Sequence, residues 1–230
     1  MTLPTRARRR PTVPLAAAAC VVAATIVVSG CAVSGDPVAS SPDMSTLSVK
    51  AQDFPAGASP IPPSAVANAL ADVTGAPMPA QTNTEVSPPE CTPAAVSADG
   101  AVAFLGPGPG ERATLTTIVA GVDAPLDELV EQAKRCPTIT TSTYGASSTI
   151  TTEVLPPSAV LGEVDTATIR RTIVTGGGVP STTSTLALVG QHDDVRVYAE
   201  YRWPAAGPVS PEAAGALDEL FTKATAAAFG

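Results

Sequence analysis

The sequence predicts one α+β domain over residues 54–230, built from an antiparallel sheet with helices packed on one of its faces. The first observation is the order of the elements: a helix, strands, a second helix, more strands and a third helix. The second is residues 195–203, where apolar side chains alternate strictly with polar ones, as in a strand with one face buried and one face wet. The third is the length of this part, about 175 residues, which suits a single domain.

The N-terminus has the pattern of a secretory signal. Four arginines within residues 6–10 precede an uncharged stretch at residues 15–28, which is shorter than the roughly 20 residues of a bilayer span. The Val-Ser-Gly-Cys sequence that ends at Cys31 resembles a bacterial lipobox. We therefore expect residues 1–30 to be a lipoprotein signal peptide and Cys31 to carry a lipid that anchors the protein at the extracytoplasmic face of the cell membrane. The alternatives are an uncleaved signal anchor or ordinary cleavage that leaves Cys31 unmodified.

The segment after the predicted lipidation site is rich in Ser, Ala, Pro and Asp. Residues 32–53 show no hydrophobic period, so we expect a flexible tether, with a reach of about 25 Å, between Cys31 and a folded body that begins at Phe54. A first helix is predicted after Ser64, its expected cap, and ends at Gly75. The proline-rich residues 76–93 are predicted to be a loop.

Strands and two further helices follow. The predicted strands span residues 101–105, 114–122, 138–143, 150–155, 167–175, 184–189 and 195–203. Between the second and third of these lies the clearest helix, with Asp123 as its expected cap, Pro125 in its first turn and basic residues at its end. A C-terminal helix is expected to open at Ser210.

The cysteines indicate a structural disulfide. Without the signal and Cys31, the chain retains Cys91 and Cys136, and two cysteines in an exported domain most often pair. Cys136 lies ten residues after Leu126 on the same helical face, so its sulfur is expected to point toward the sheet. Metal binding or a redox thiol are the alternatives, but no Cys-x-x-Cys pair or nearby histidine accompanies either cysteine.

The charge of the chain excludes one class of partner. Residues 1–30 hold four of the 13 basic residues and none of the 21 acidic ones, so the remainder has a formal net charge of −12. Because nucleic-acid binding depends on basic residues that neutralise phosphates, we expect no nucleic-acid partner.

No catalytic or metal-binding motif is apparent. His192 is the only histidine, and its Gly-Gln-His-Asp-Asp context is typical of a hairpin turn rather than of a general base. The glycine runs at residues 106–110 and 176–178 open no helix, as a phosphate site at a helix N-terminus requires. We therefore expect neither enzymatic activity nor a cofactor or metal.

Four arginines of the strands form the most suggestive cluster. One of Arg170 and Arg171 must lie on the predicted wet face, and Arg196 and Arg202 share the face of Tyr198. Such a face could bind an anionic or saccharide ligand. The alternative is cross-strand pairing with glutamate on a solvated surface.

The lipobox, the Pro-Pro-Glu-Cys sequence ending at Cys91 and the Gln-Ala-Lys-Arg-Cys-Pro sequence around Cys136 resemble those of mycobacterial cell-envelope lipoproteins. In particular, they are similar to lipoproteins related to the extracellular sensor domain of membrane-anchored serine/threonine kinases. The resemblance covers about residues 54–229, and it implies an α/β sandwich-like fold akin to the PsbP/Mog1 type, with a ligand-binding cleft. The kinase sensor domain carries two disulfides and this chain can form one, so neither cleft geometry nor functional residues are transferred.

Two functions follow as expectations. The first is a ligand-binding or sensor-like lipoprotein of the cell envelope, without catalysis, that binds a small molecule or a cell-wall component. The alternative is a structural or protein-interaction lipoprotein that meets an envelope protein. An apolar or arginine-lined cleft would favour the first, and a surface patch without a cavity would favour the second.

Overall fold

The structure is a computed structural model that describes residues 42–81, 83–159 and 162–230. In chain order its helices and strands are β1 (Ser59–Pro60), α1 (Pro63–Thr74), β2 (Thr84–Ser87), β3 (Val102–Pro107), β4 (Thr114–Gly121), α2 (Leu126–Arg135), β5 (Thr138–Thr143), β6 (Ala146–Leu155), β7 (Asp165–Thr175), β8 (Ser181–His192), β9 (Val195–Trp203) and α3 (Pro211–Phe229). The predicted signal peptide, residues 1–30, and the predicted lipidation site Cys31 lie outside the described residues.

The predicted α+β class is confirmed. The nine strands pair antiparallel in one sheet, in the order β1-β3-β4-β9-β8-β7-β6-β5-β2. The strands from β5 to β9 form successive hairpins. Strand β4 pairs with β9 and places β1, β3 and β4 on one side of the sheet, while β2 pairs with β5 at the opposite edge.

The helices cover both faces of the sheet, so the prediction of helices on one face is wrong. On one face, α3 packs against β9, β8 and β4 through an apolar stripe that includes Leu217 and Phe221. On the other face, Val66 and Leu70 of α1 and Leu126 of α2 lie on the apolar side chains of the same central strands. Full burial of each of these apolar side chains stabilises the fold by about 1.5–3 kcal/mol. This gain favours covering the face of the sheet that the alternating pattern predicted to be exposed to water.

The folded body begins before Phe54. Met44 and Val49 are buried in the apolar layer under α3, and residues 51–53 form a short 3-10 helix. The prediction of a flexible tether is therefore wrong for residues 42–53, because scattered apolar side chains can pack into a core without any regular period.

Several element ends differ from the sequence predictions. Ser64 lies inside the first turn of α1, whose cap position is Pro62, and Pro125 rather than Asp123 holds the cap position of α2. Strand β2 lies within the segment predicted to be a loop and pairs with β5. Ser210 does cap α3 as predicted, with its hydroxyl accepting a hydrogen bond from the backbone N–H of Ala213 at 3.2 Å.

The predicted disulfide is confirmed. Cys91 and Cys136 are bonded, with their Cα atoms 5.6 Å apart, and both are buried beside Ile139. The bond ties the end of α2 to the segment that leads into residues 93–97. The sequence separation of 45 residues corresponds to a stabilisation of roughly 4 kcal/mol on the chain-entropy account.

Within the described ranges, none of the helices is both long and apolar enough to cross a bilayer.

Candidate functional site

A cleft of about 540 Å³ opens on the face of the sheet that α1 and α2 cover. Its walls are residues 93–97 on one side and, on the other, the connection from β4 to α2 together with the first turns of α2. Arg196 of β9 lies at its base. A volume of this size lies in the range of small-molecule sites.

The walls of the cleft are held by specific bonds. The side chain of Gln132 on α2 donates a hydrogen bond to the backbone oxygen of Thr92 at 3.0 Å, which joins the two walls beside the disulfide. The β4–α2 connection is held to the β8–β9 hairpin because the N–H of Val122 donates to the backbone oxygen of Asp194 at 2.8 Å. Hydrogen bonds to neighbouring elements therefore hold the segments that form the walls of the cleft.

Arg196 is almost completely buried at the base, with 3% of its surface exposed. Its Nε and Nη2 donate to the amide oxygen of Gln191 at 2.9 and 2.6 Å, and Nη2 also donates to the backbone oxygen of Ala124 at 2.7 Å. Its Nη1 lies 3.4 Å from the hydroxyl of Tyr198. All these acceptors are neutral, and no ion pair joins this guanidinium to a carboxylate of the described residues.

The rim of the cleft is mostly acidic, opposite in charge to Arg196 at the base. The exposed acidic residues that line it are Asp123, Asp127, Glu128 and Glu131, and Arg135 is the exposed basic residue among them. Two of the acidic residues lie in the first turn of α2, where negative side chains interact favourably with the helix dipole.

A second polar cluster joins α1 to the sheet, with Glu200 buried and Asp72 and Arg202 partly exposed. The Nη2 of Arg202 donates to Asp72 of α1 at 2.6 Å and to the Oε1 of Glu200 at 3.2 Å. Burial raises the pKa of Glu200 to about 7, against the opposing effect of Arg202, and Asp72 raises it further. Although burial opposes it, the two carboxylates raise the pKa of Arg202.

Arg171 caps α1 from the sheet. Its Nη1 and Nη2 donate to the backbone oxygens of Val73 and Thr74 at 2.7 and 2.9 Å, at the negative end of the helix. Burial lowers the pKa of this guanidinium. Gly75 ends the helix in the left-handed conformation at φ 78°, and a Cβ there would lie 3.3 Å from the Nε of Arg171.

The four arginines singled out in the sequence thus have different surroundings. The prediction that Arg196 and Arg202 lie on a wet face is wrong, because α1 and α2 cover that face. Arg171 also faces these helices, and Arg170 lies on the opposite face, where it donates to the backbone oxygens of Ala206 and Gly207. Only Arg196 of the four lines the cleft.

His192 lies at the end of β8, directly before the two-residue turn of the β8–β9 hairpin, as its context predicts. Its Nδ1 is 2.9 Å from the backbone oxygen of Glu163, and its ring meets Phe229 edge-on with centroids 6.0 Å apart. It does not line the cleft. Within the described ranges, no group of three or more His, Cys, Asp or Glu side chains is placed to hold a metal ion.

Sequence reasoning missed the parts of the site that depend on tertiary packing. The predicted loop ends at residue 93, no prediction covers residues 94–97, and Asp72 is not among the residues singled out. The available signals were the position of residues 93–97 directly after Cys91 and the polar side chain of Gln191 at the end of a buried strand.

The fold is similar to two solved structures. One is an uncharacterized protein from Mycobacterium smegmatis, the Rv0999 ortholog, with a TM-score of 0.40 and 17% identity over 75% of this chain and 86% of that chain. The other is the extracellular domain of PknH from Mycobacterium tuberculosis, with a TM-score of 0.40 and 14% identity over 73% of this chain and 98% of that one. No protein-family model matches the sequence, and no curated protein matches it. The PsbP/Mog1 resemblance stays a prediction.

Proposed function

We propose that this protein is a non-catalytic, ligand-binding and sensor-like module, held at the extracytoplasmic face of the cell membrane by a lipid on Cys31. The observation that carries the ligand-binding part is the cleft whose base is the buried guanidinium of Arg196. A buried charge without an opposite charge is costly, and a ligand that supplies one recovers part of that cost.

The cleft favours ligand binding over a scaffolding role. The sequence alone left both open, and an arginine-lined cavity was the feature expected of the first. The walls combine apolar surface from Val96 and Leu129 with a few polar groups, which is the usual composition of a small-molecule site. The exported location is supported by the signal pattern and by the disulfide between Cys91 and Cys136.

The test is mass spectrometry, under non-denaturing conditions, of protein purified from its native host. We expect a small molecule to co-purify with the wild-type protein and to be lost from Ala95→Trp, because an indole at this exposed wall position fills the cleft. Ala227→Trp is the matched control, since Ala227 is exposed on α3 at the opposite face of the sheet. Wild-type protein without a bound molecule, or equal retention by both variants, would overturn the proposal.

A further inference from the structure

The charges of the cleft are arranged in two layers, with a buried cation at the base and carboxylates at the mouth. We propose that the ligand is a small zwitterion of the amino-acid or short-peptide class, with its carboxylate on Arg196 and its ammonium group at the acidic rim. This inference rests on the proposed function of the cleft and specifies the chemistry of its ligand.

The base of the cleft selects a carboxylate. Of the five N–H donors of Arg196, the Nε–H and both Nη2 hydrogens are engaged by Gln191 and Ala124, and one Nη1 hydrogen faces Tyr198 at the long distance of 3.4 Å. The second Nη1 hydrogen has no acceptor among the described residues. A guanidinium with a free N–H group forms a short, charge-assisted hydrogen bond with a carboxylate, and such a bond is about twice as strong as a hydrogen bond between neutral groups.

The three basic side chains of this sheet face differ in what neutralises them. Arg202 has the carboxylates of Asp72 and Glu200, and Arg171 has the carbonyl oxygens at the negative end of α1. Arg196 has only neutral acceptors, and it alone of the three lies in the 540 Å³ cleft. Of these three arginines, Arg196 is therefore the one that has no opposite charge beside it and that a ligand in the cleft can reach.

The negative charge of the rim disfavours a ligand that carries only negative charge. Glu131 is paired with Lys134 at 3.0 Å, but Asp123, Asp127 and Glu128 form no ion pair among the described residues. Although Arg135 also lies at the rim, the carboxylates outnumber it, so the mouth of the cleft repels a polyanion and attracts a cation. A purely cationic ligand is in turn disfavoured by Arg196 at the base. A molecule with both charges satisfies both ends.

The experiment compares three forms of one probe by protein-detected NMR titration. Dialanine carries both charges, dialanine amide lacks the carboxylate, and N-acetyl-dialanine lacks the ammonium group. We expect saturable binding of dialanine with shifts at residues 93–97 and in α2, at least tenfold weaker binding of the amide, and about threefold weaker binding of the acetylated form.

Protein variants test the same two contacts. Asp127→Asn/Glu128→Gln is expected to weaken dialanine binding about threefold and not to weaken the binding of N-acetyl-dialanine, which has no ammonium group to lose contact with the rim. Asp218→Asn/Glu219→Gln on α3 is the matched control, because it removes an adjacent Asp-Glu pair from a helix on the opposite face. Arg196→Lys keeps the positive charge but removes the guanidinium Nη1 that carries the free N–H, and it should weaken dialanine binding about tenfold while circular dichroism stays unchanged.

The outcomes separate this inference from the proposed function. If dialanine amide binds as well as dialanine, or dialanine does not bind at millimolar concentrations, the zwitterion assignment is wrong. If a molecule without these charges nevertheless co-purifies with the wild-type protein and is lost from Ala95→Trp, the proposed function stands while the inference fails. If nothing occupies the cleft in either experiment, both are wrong.

Discussion

The carboxyl group of Glu200 should make the stability of this protein depend on pH. Its side chain is 2% exposed, its Oε1 lies 3.2 Å from the Nη2 of Arg202, and its Oε2 has no hydrogen-bond partner among the described residues. Burial raises its pKa from the ordinary value of 4.5 to about 7. The folded protein therefore binds this proton more tightly than the unfolded chain does.

The sign and size of the effect follow from this difference. A raised pKa in the folded state means that protonated Glu200 stabilises the fold fully below pH 4.5, and that this contribution is lost as the pH rises through about 7. The difference between the folded and unfolded pKa corresponds to about 3 kcal/mol of stability, most of which is lost between pH 5 and pH 8. Glutamine at position 200 cannot ionise, so Glu200→Gln removes this part of the pH dependence.

The assay is urea unfolding at pH 5 and pH 8, followed by the fluorescence of Trp203, the only tryptophan of the chain. We expect the free energy of unfolding of the wild-type protein to fall between the two pH values by about 2 to 3 kcal/mol more than that of Glu200→Gln. Glu153→Gln, which removes an exposed carboxylate from the same sheet, should behave like the wild type. If the wild-type protein and Glu200→Gln show the same change with pH, the argument from burial is refuted.

Three further predictions concern residues on which the sequence analysis depended. Replacement of Cys91 and Cys136 by serine should lower stability by roughly 4 kcal/mol in calorimetry, and free thiols in the unreduced protein would contradict the bond. Cys31→Ala should abolish lipid labelling and shift the protein from membrane to soluble or unprocessed fractions, and labelling that persists would exclude lipidation at this residue. His192→Ala should change stability by less than about 1 kcal/mol and leave dialanine binding unaltered, since the ring is half-exposed, packs against Phe229 of α3 and does not line the cleft. A large loss of any measured activity would reopen a catalytic role.

The fold class could be predicted from the sequence because the apolar side chains recur at the right spacing. The strand pattern of residues 195–203 and the helical pattern ending at Cys136 predicted elements that the structure contains. Strand β2 could not be predicted, since proline surrounds it and its pairing with β5 joins residues about 60 positions apart.

The prediction of a solvent-exposed face for residues 195–203 was wrong for a physical reason. Charged residues in alternate positions of a strand normally indicate water on that side, and Arg196, Glu200 and Arg202 follow this pattern. The structure instead covers this side of the strand with α1 and α2, and Asp72 of α1 supplies a partner for Arg202 from a distant part of the chain. Such partners are fixed by tertiary packing, and the local pattern carries no information about them.

The same wrong prediction explains why the sequence indicated only part of the candidate site. The sequence pointed to the strand arginines as a group, and in solvent they would be equivalent. Once the helices cover them, the surroundings separate them: Arg171 is held by the end of α1, Arg202 by two carboxylates, and Arg196 by neutral acceptors at the base of a cleft. Because a buried cation is costly to leave without an opposite charge, this difference between the three arginines is the reason that the proposed ligand site is built on Arg196.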